Sequence, residues 1–136
     1  MSHACRSGVL RISLFIAAMS FTVSSLAEDD PGFTSMFNGV DLTGWEGQSG
    51  WWSVQSGLLT AESTAEKPCT RSHYLYWTGG EPADFDMRCR FRISAHGNSG
   101  IQFRSERRDN WDTWGYQADM DGAGEYMGCL YQHERG

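Results

Sequence analysis

The chain has 136 residues, a formal net charge of −6, four cysteines and six tryptophans. That length allows one domain with a modest core. An acidic chain whose single lysine is Lys67 lacks the basic face that nucleic acid or anionic lipid requires, so a neutral or weakly polar ligand suits it better.

At the start of the chain, Arg6 and Arg11 flank the beginning of a short, mostly apolar run from Ile12 to Val23. Ser25-Leu26-Ala27 then places small residues where a signal peptidase reads. This is the pattern of a secretory signal peptide over residues 1–27, and the run is too short for a membrane span of about 20 residues. The mature chain is expected to begin near Glu28 and to be secreted, or periplasmic in a Gram-negative source, with no membrane span after cleavage. Removing residues 1–27 takes away two arginines and no acid, so the charge moves from −6 to −8 over 136 − 27 = 109 residues.

Beyond Glu28 no window keeps apolar residues at helical spacing for three turns. Short alternating runs between Gly, Asn and Asp clusters predict antiparallel strands instead. The expected strands are 34–37, 51–55, 58–62, 74–77, 84–94, 100–105, 115–120 and 127–132. The clearest is 84–94, where Phe85, Met87, Cys89, Phe91 and Ile93 face one way and Asp86, Arg88, Arg90 and Arg92 the other. His96-Gly97-Asn98 supplies turn chemistry, so 84–105 is expected to be a hairpin. Residues 63–72 and 106–114 read as loops. In "NGVDLTGW", Asp41 is expected to order a turn by accepting backbone amides. The whole reads as one all-β domain over 28–136, an antiparallel sandwich of the jelly-roll kind. The chain stops directly after a strand, so C-terminal truncation is also expected.

Cys5 leaves with the signal peptide. Among Cys69, Cys89 and Cys129 at most one disulfide can form, with Cys69–Cys129 the pair considered, and none has the C-x-x-C spacing of a zinc site. Cys89, in phase with Met87 and Phe91, reads as a buried small hydrophobe.

Five stretches, in order, carry a family resemblance: "FTSMFNGVDLTGW" (33–45), "WWSVQSGLLTA" (51–61), "DFDMRCRFRIS" (84–94), "GNSGIQFRS" (97–105) and "GYQADMD" (115–121). From Phe33 onward the chain resembles the domain family of unknown function numbered 1080, now called the 3-keto-disaccharide hydrolase domain. The resemblance implies a secreted, concanavalin-like jelly-roll acting on glycosides oxidised at C3, and a domain longer than this chain. The family commonly reads Gly-Tyr-Glu-x-Gln where this chain has Gly115-Tyr116-Gln117-Ala118-Asp119. Gln117 cannot act as a base, while Asp119, two residues on, restores a carboxylate on the same strand face.

Cleaving a 3-keto-glycoside requires a base near C2, a stabiliser for the enolate oxygen and an acid for the leaving group. Alternation places Gln102 and Arg104 on one side of their strand and Gln117 and Asp119 on one side of theirs. If the two strands pair, these side chains form a patch opposite the apolar face. Two readings of the patch stand, a sugar-binding face and a solvated outer face. The resemblance points to the first, with Asp119, Arg104 and His133 as the catalytic set. Arg88, Arg90 and Arg92 fit a wet edge. Asn98, Ser99 and Gly100 fit either a ligand-touching turn or a plain hairpin turn. Gln102, Gln117, Asn98, Ser99 and Tyr116 are the expected substrate contacts. Trp111 and Trp114, in a polar loop, are candidates to stack on a sugar ring, whereas Trp45, Trp51, Trp52 and Trp77 read as core or sandwich edge. Tyr131 and Glu134 flank His133 and extend the candidate set, while His73 and His96 read as bystanders. A divalent metal ion is a further candidate for the enolate, with no ligand set legible. The expected function is a secreted hydrolase or lyase of 3-keto-glycosides. The alternative is a non-catalytic carbohydrate-binding module, because fold does not fix function.

Overall fold

The computed structural model describes residues 32–133. The signal peptide expected over 1–27 and Glu134 lie outside the described residues.

Seven strands and one short 3-10 turn make up the described chain: β1 (Trp45–Gly47), β2 (Trp52–Gln55), β3 (Leu58–Ala61), β4 (Leu75–Trp77), β5 (Asn98–Arg107), the turn Asp109–Trp111, β6 (Thr113–Asp121) and β7 (Leu130–His133). Every pairing is antiparallel: β1 with β4, β2 with β3, and β5-β6-β7 in one three-stranded sheet. The fold class is therefore the expected one, all-β and antiparallel, of the jelly-roll sandwich kind. Strand β1 was missed in the sequence because three residues, Trp-Glu-Gly, carry too little alternation to register. The expected strand 34–37 does not form; bends occupy that stretch.

Local chemistry sets the first turn as anticipated. Asp41 Oδ1 accepts the Thr43 amide at 2.9 Å and the Asn38 side-chain amide at 2.8 Å, while Asn38 Oδ1 accepts the amides of Val40 and Asp41. These bonds favour the ionised carboxylate and hold the Asp41 pKa below its ordinary value. The turn delivers Trp45, whose indole N–H donates to the Met36 carbonyl at 2.7 Å.

The apolar layer is made of half-buried side chains, among them Trp45, Trp52, Val54, Leu59, Leu75, Trp77, Ile101, Phe103 and Tyr116. No apolar side chain among the described residues is fully buried, and the most enclosed is Thr113 at 1 % exposure, whose hydroxyl donates to the Glu106 carbonyl. The four tryptophans assigned to core or edge are thus all partly covered.

The segment 84–94 departs most from expectation. Its alternation is regular, yet it pairs with no other strand among the described residues, and the hairpin 84–105 does not form. Alternation describes the two faces of one strand; a ladder also requires a neighbour to receive its amides and carbonyls. The turn is made instead by Ser94–Gly97, where the Gly97 amide donates to the Ser94 carbonyl at 2.9 Å, and Asn98-Ser99-Gly100 opens β5. Cys89 is accordingly exposed rather than buried, and Cys69, Cys89 and Cys129 are all free thiols, so the Cys69–Cys129 bridge is not formed.

A stacked column braces the β2 end of the molecule. Trp51 and His73 lie face to face with centroids 3.7 Å apart, and Lys67 sits over the other side of Trp51 at 4.2 Å. Gln48 Oε1 accepts from Arg71 Nη2 at 2.9 Å and from His73 Nδ1 at 3.0 Å. Desolvation, then the charges of Arg71 and Lys67, hold the His73 pKa below its ordinary value. A base whose folded pKa is depressed resists a proton that the unfolded chain accepts. Stability is then lost as pH falls below the unfolded value of 6.5, and the loss ends at the lowered folded value. Thermal melts of the parent and of His73→Gln across that window are expected to differ in slope, with the variant less sensitive to acid.

Candidate functional site

Register places the candidate side chains on the three-stranded sheet. Gln102 on β5 lies opposite Gln117 on β6, and Gln117 lies opposite Tyr131 on β7. Directly opposed residues share a face, as do residues two apart along a strand. Asp119 and Gly100 therefore occupy the next row on the same face, and Gly115 and His133 occupy the row on the other side. Four of the expected residues (Gln102, Gln117, Asp119 and His133) share this face, with Tyr131 on it too. Asn98 closes the row opposite Asp121 at the strand end.

A directed chain of hydrogen bonds runs across this face. The Ser105 hydroxyl donates to Gln102 Oε1 at 3.0 Å, Gln102 Nε2 donates to Gln117 Oε1 at 2.9 Å, and Gln117 Nε2 donates to Asp119 Oδ1 at 2.6 Å. Each oxygen accepts and each nitrogen donates, so turning either amide would set donor against donor or acceptor against acceptor. Each NH2 group has a second hydrogen. Asp119 Oδ2 has no partner among the described residues. Both are free to meet a ligand.

Glycine makes room for this chain. A Cβ at Gly100 would overlap Gln117 Cγ and lie 2.8 Å from the Ala118 carbonyl oxygen. Gly100→Ala is expected to displace the Gln117 side chain from Asp119 and to cost about 1–3 kcal/mol, typical of overpacking. Chemical denaturation measures the loss directly.

Arg104 is not in the patch. The β5–β6 register shifts between Phe103 and Glu106, and Arg104 sits at φ 48 within that bulge. A bulge breaks the two-residue alternation on which the shared face with Gln102 rested. The guanidinium instead donates to the Ala83 carbonyl at 3.0 Å and lies 3.7 Å from Asp84. Gly115 makes the bulge possible: at φ 152 it lies so close to β5 that a Cβ would sit 2.6 Å from Ser105 Cα. The same bulge brings the Ser105 hydroxyl to Gln102.

The aromatic candidates also separate. Tyr116 lies on the opposite face, its ring 6.1 Å from Phe103. Trp114 shares that opposite face and is covered by the Arg108 guanidinium at 3.7 Å from its ring. Ser99, one residue out of phase with Gly100 and Gln102, shares the opposite face with Tyr116, away from the patch. Trp111 stands in the 3-10 turn under Arg107, 4.5 Å from its ring, with Tyr76 at 6.4 Å. None of these rings is presented to Asp119.

At the far end of the face, His133 Nε2 lies 3.5 Å from Asp112 Oδ1, an ion pair when the imidazole carries a proton. Asp112 is fixed by its own contacts: Oδ1 accepts the Thr113 amide at 2.9 Å and its carbonyl accepts the Tyr76 hydroxyl at 2.6 Å. Arg71, Ser72, Asp112 and His133 line one small cavity. Asp112, Arg71 and Ser105 were not legible as site residues, since each reaches the site from a loop or bulge with no motif around it. About 13 Å of strand separates the Asp119 and His133 rows, with Gln102, Gln117 and Tyr131 between.

The β6–β7 connection positions β7 through Asp121. Its carboxylate accepts the amides of Tyr126 and Glu125 at 3.0 Å and of Ala123 at 3.1 Å. These bonds, that from Tyr126 foremost, hold its pKa below the ordinary 3.8. Among the described residues no three His, Cys, Asp or Glu side chains are grouped as a metal site.

A family model described as a 3-keto-alpha-glucoside-1,2-lyase-like domain matches residues 32–135, most of the chain. No curated protein and no solved structure matches.

Proposed function

This chain belongs to the 3-keto-alpha-glucoside-1,2-lyase-like family, and from that premise we propose that it is a secreted enzyme cleaving 3-keto-glycosides by elimination across C1 and C2. The observation that carries the reading is the hydrogen-bonded chain from Ser105 through Gln102 and Gln117 to Asp119.

A ketone at C3 acidifies the proton on C2. Asp119 Oδ2 takes that proton, and the electron pair of the C2–H bond becomes an enolate spread to the C3 oxygen. The second N–H groups of Gln102 and Gln117 supply donors for that oxygen; a fixed donor at a developing oxyanion is typically worth about 2.7–4 kcal/mol. The enolate then expels the C1 substituent, and the acid newly formed on Asp119 hands its proton to the departing oxygen on the neighbouring carbon. Asp119 is a carboxylate again and the aglycone leaves as a neutral alcohol, so the charges balance. Tyr131, 48 % exposed beside Gln117, offers a ring face to the C–H groups of the sugar. Addition of water to the unsaturated ketone would make the net reaction a hydrolysis.

The test is release of aglycone from 3-keto-glucosides by the purified chain, with and without chelator. Turnover supports the reading, and loss of turnover on chelation would add a divalent ion to the enolate's stabilisers. Sugar binding without release would favour a carbohydrate-binding module and overturn the enzyme.

A further inference from the structure

The segment 84–94 alternates apolar and polar residues in sequence, has no strand beside it among the described residues, and exposes Phe85 at 48 %, Met87 at 37 % and Phe91 at 50 %. An exposed, alternating segment without a partner strand is suited to pairing with another strand. Its charges identify the strand that fits.

The polar face reads Asp84, Asp86, Arg88, Arg90, Arg92, with acids at one end and bases at the other. An antiparallel copy of the same segment reverses that order. Even-numbered registers alone keep apolar residues opposite apolar ones. Centred on Arg88, the pairing sets Arg88 against Arg88; centred on Cys89, it sets Arg88 against Arg90; centred on Asp86, it sets Asp86 against Asp86. Centred on Met87, every charged pair within 84–90 is opposite in sign: Asp84 with Arg90 and Asp86 with Arg88, each twice by symmetry. The same register puts Phe85 across from Cys89 and Phe91 across from Ala83, large against small. A two-fold axis through Met87 makes the contact self-complementary, as an isologous dimer requires.

We propose that this chain forms a homodimer through antiparallel pairing of segment 84–90 with the same segment of a second copy, centred on Met87. Two ion pairs within the chain are exposed and yield readily. Asp86 and Arg88 of one chain lie 3.4 Å apart and Asp84 lies 3.7 Å from Arg104, and all of these are exposed pairs of small worth. Arg88 also lies 4.0 Å from the Phe33 ring, an exposed contact that pairing across the two-fold axis would compete with.

Sedimentation of the purified chain over a concentration series is expected to show a reversible monomer–dimer equilibrium. Asp86→Arg sets like charges opposite each other twice and is expected to weaken the dimer by about tenfold or more. Asp86→Arg combined with Arg88→Asp restores both pairs and is expected to restore the dimer; in a register centred on Arg88 it would not. A chain monomeric at every soluble concentration overturns the proposal. So does a dimer indifferent to Asp86→Arg, or one that the double exchange fails to rescue. Should Asp86→Arg lose its folded circular dichroism, Met87→Cys in a Cys69, Cys89 and Cys129→Ser background decides the matter. Oxidation is then expected to give a disulfide-linked dimer, and a soluble chain that stays monomeric contradicts the register.

Discussion

Asp119→Asn is expected to lower cleavage of 3-keto-glycosides by about 10²- to 10⁴-fold, the range that a positioned acid–base group supplies. The substitution keeps the shape and keeps an acceptor oxygen for Gln117 Nε2, which donates to Asp119 Oδ1 at 2.6 Å in the parent. The amide cannot take a proton from carbon. The loss should fall on kcat, because ground-state contacts to the sugar through Gln102, Gln117 and Tyr131 remain. It should also be the same for every leaving group, since C2–H cleavage precedes departure. Steady-state rates on a matched pair of substrates, one with a nitrophenol and one with a sugar as aglycone, measure both features.

Gln117→Leu is expected to lower cleavage of both substrates by about 10²–10³-fold, the loss that follows removal of one donor to a developing oxyanion. In the parent, Gln117 Nε2 donates to Asp119 Oδ1 at 2.6 Å, and its second N–H serves the enolate oxygen. His133→Gln, about 13 Å of strand from the Asp119 row, should leave both rates near the parent value. Parent-like rates for Gln117→Leu would remove Gln117 from the enolate's donors.

Much of this site was legible in the chain, and the part that was not has identifiable causes. Gln102, Gln117 and Asp119 were placed on one face by alternation alone, because the β5–β6 register is regular from Asn98 to Phe103. Arg104 was misplaced by a single local event. The bulge after Phe103 turns Arg104 to φ 48, and nothing in Arg-Ser-Glu announces it. The packing partner that makes the bulge possible, Gly115, is ten residues away in sequence. Asp112 and Arg71 belong to loops whose approach to His133 depends on how β4, β6 and β7 are arranged. No periodicity encodes that arrangement. Segment 84–94 shows the complementary limit: its pattern is the most regular in the chain, yet pairing is a property of two strands. The Asn38–Asp41 turn was read correctly because all of its bonds close within five residues.

The fate of the C2 proton decides whether Asp119 is the base. A 3-keto-glucoside carrying deuterium at C2 is turned over by the parent chain in ordinary water, and the sugar product is followed by NMR. If Asp119 abstracts at C2, deuterium is lost from that carbon in step with aglycone release, with a primary isotope effect on the rate, and neither event occurs with Asp119→Asn. Aglycone release with deuterium fully retained at C2 would mean cleavage without proton abstraction, and would contradict the assignment of Asp119 as the base.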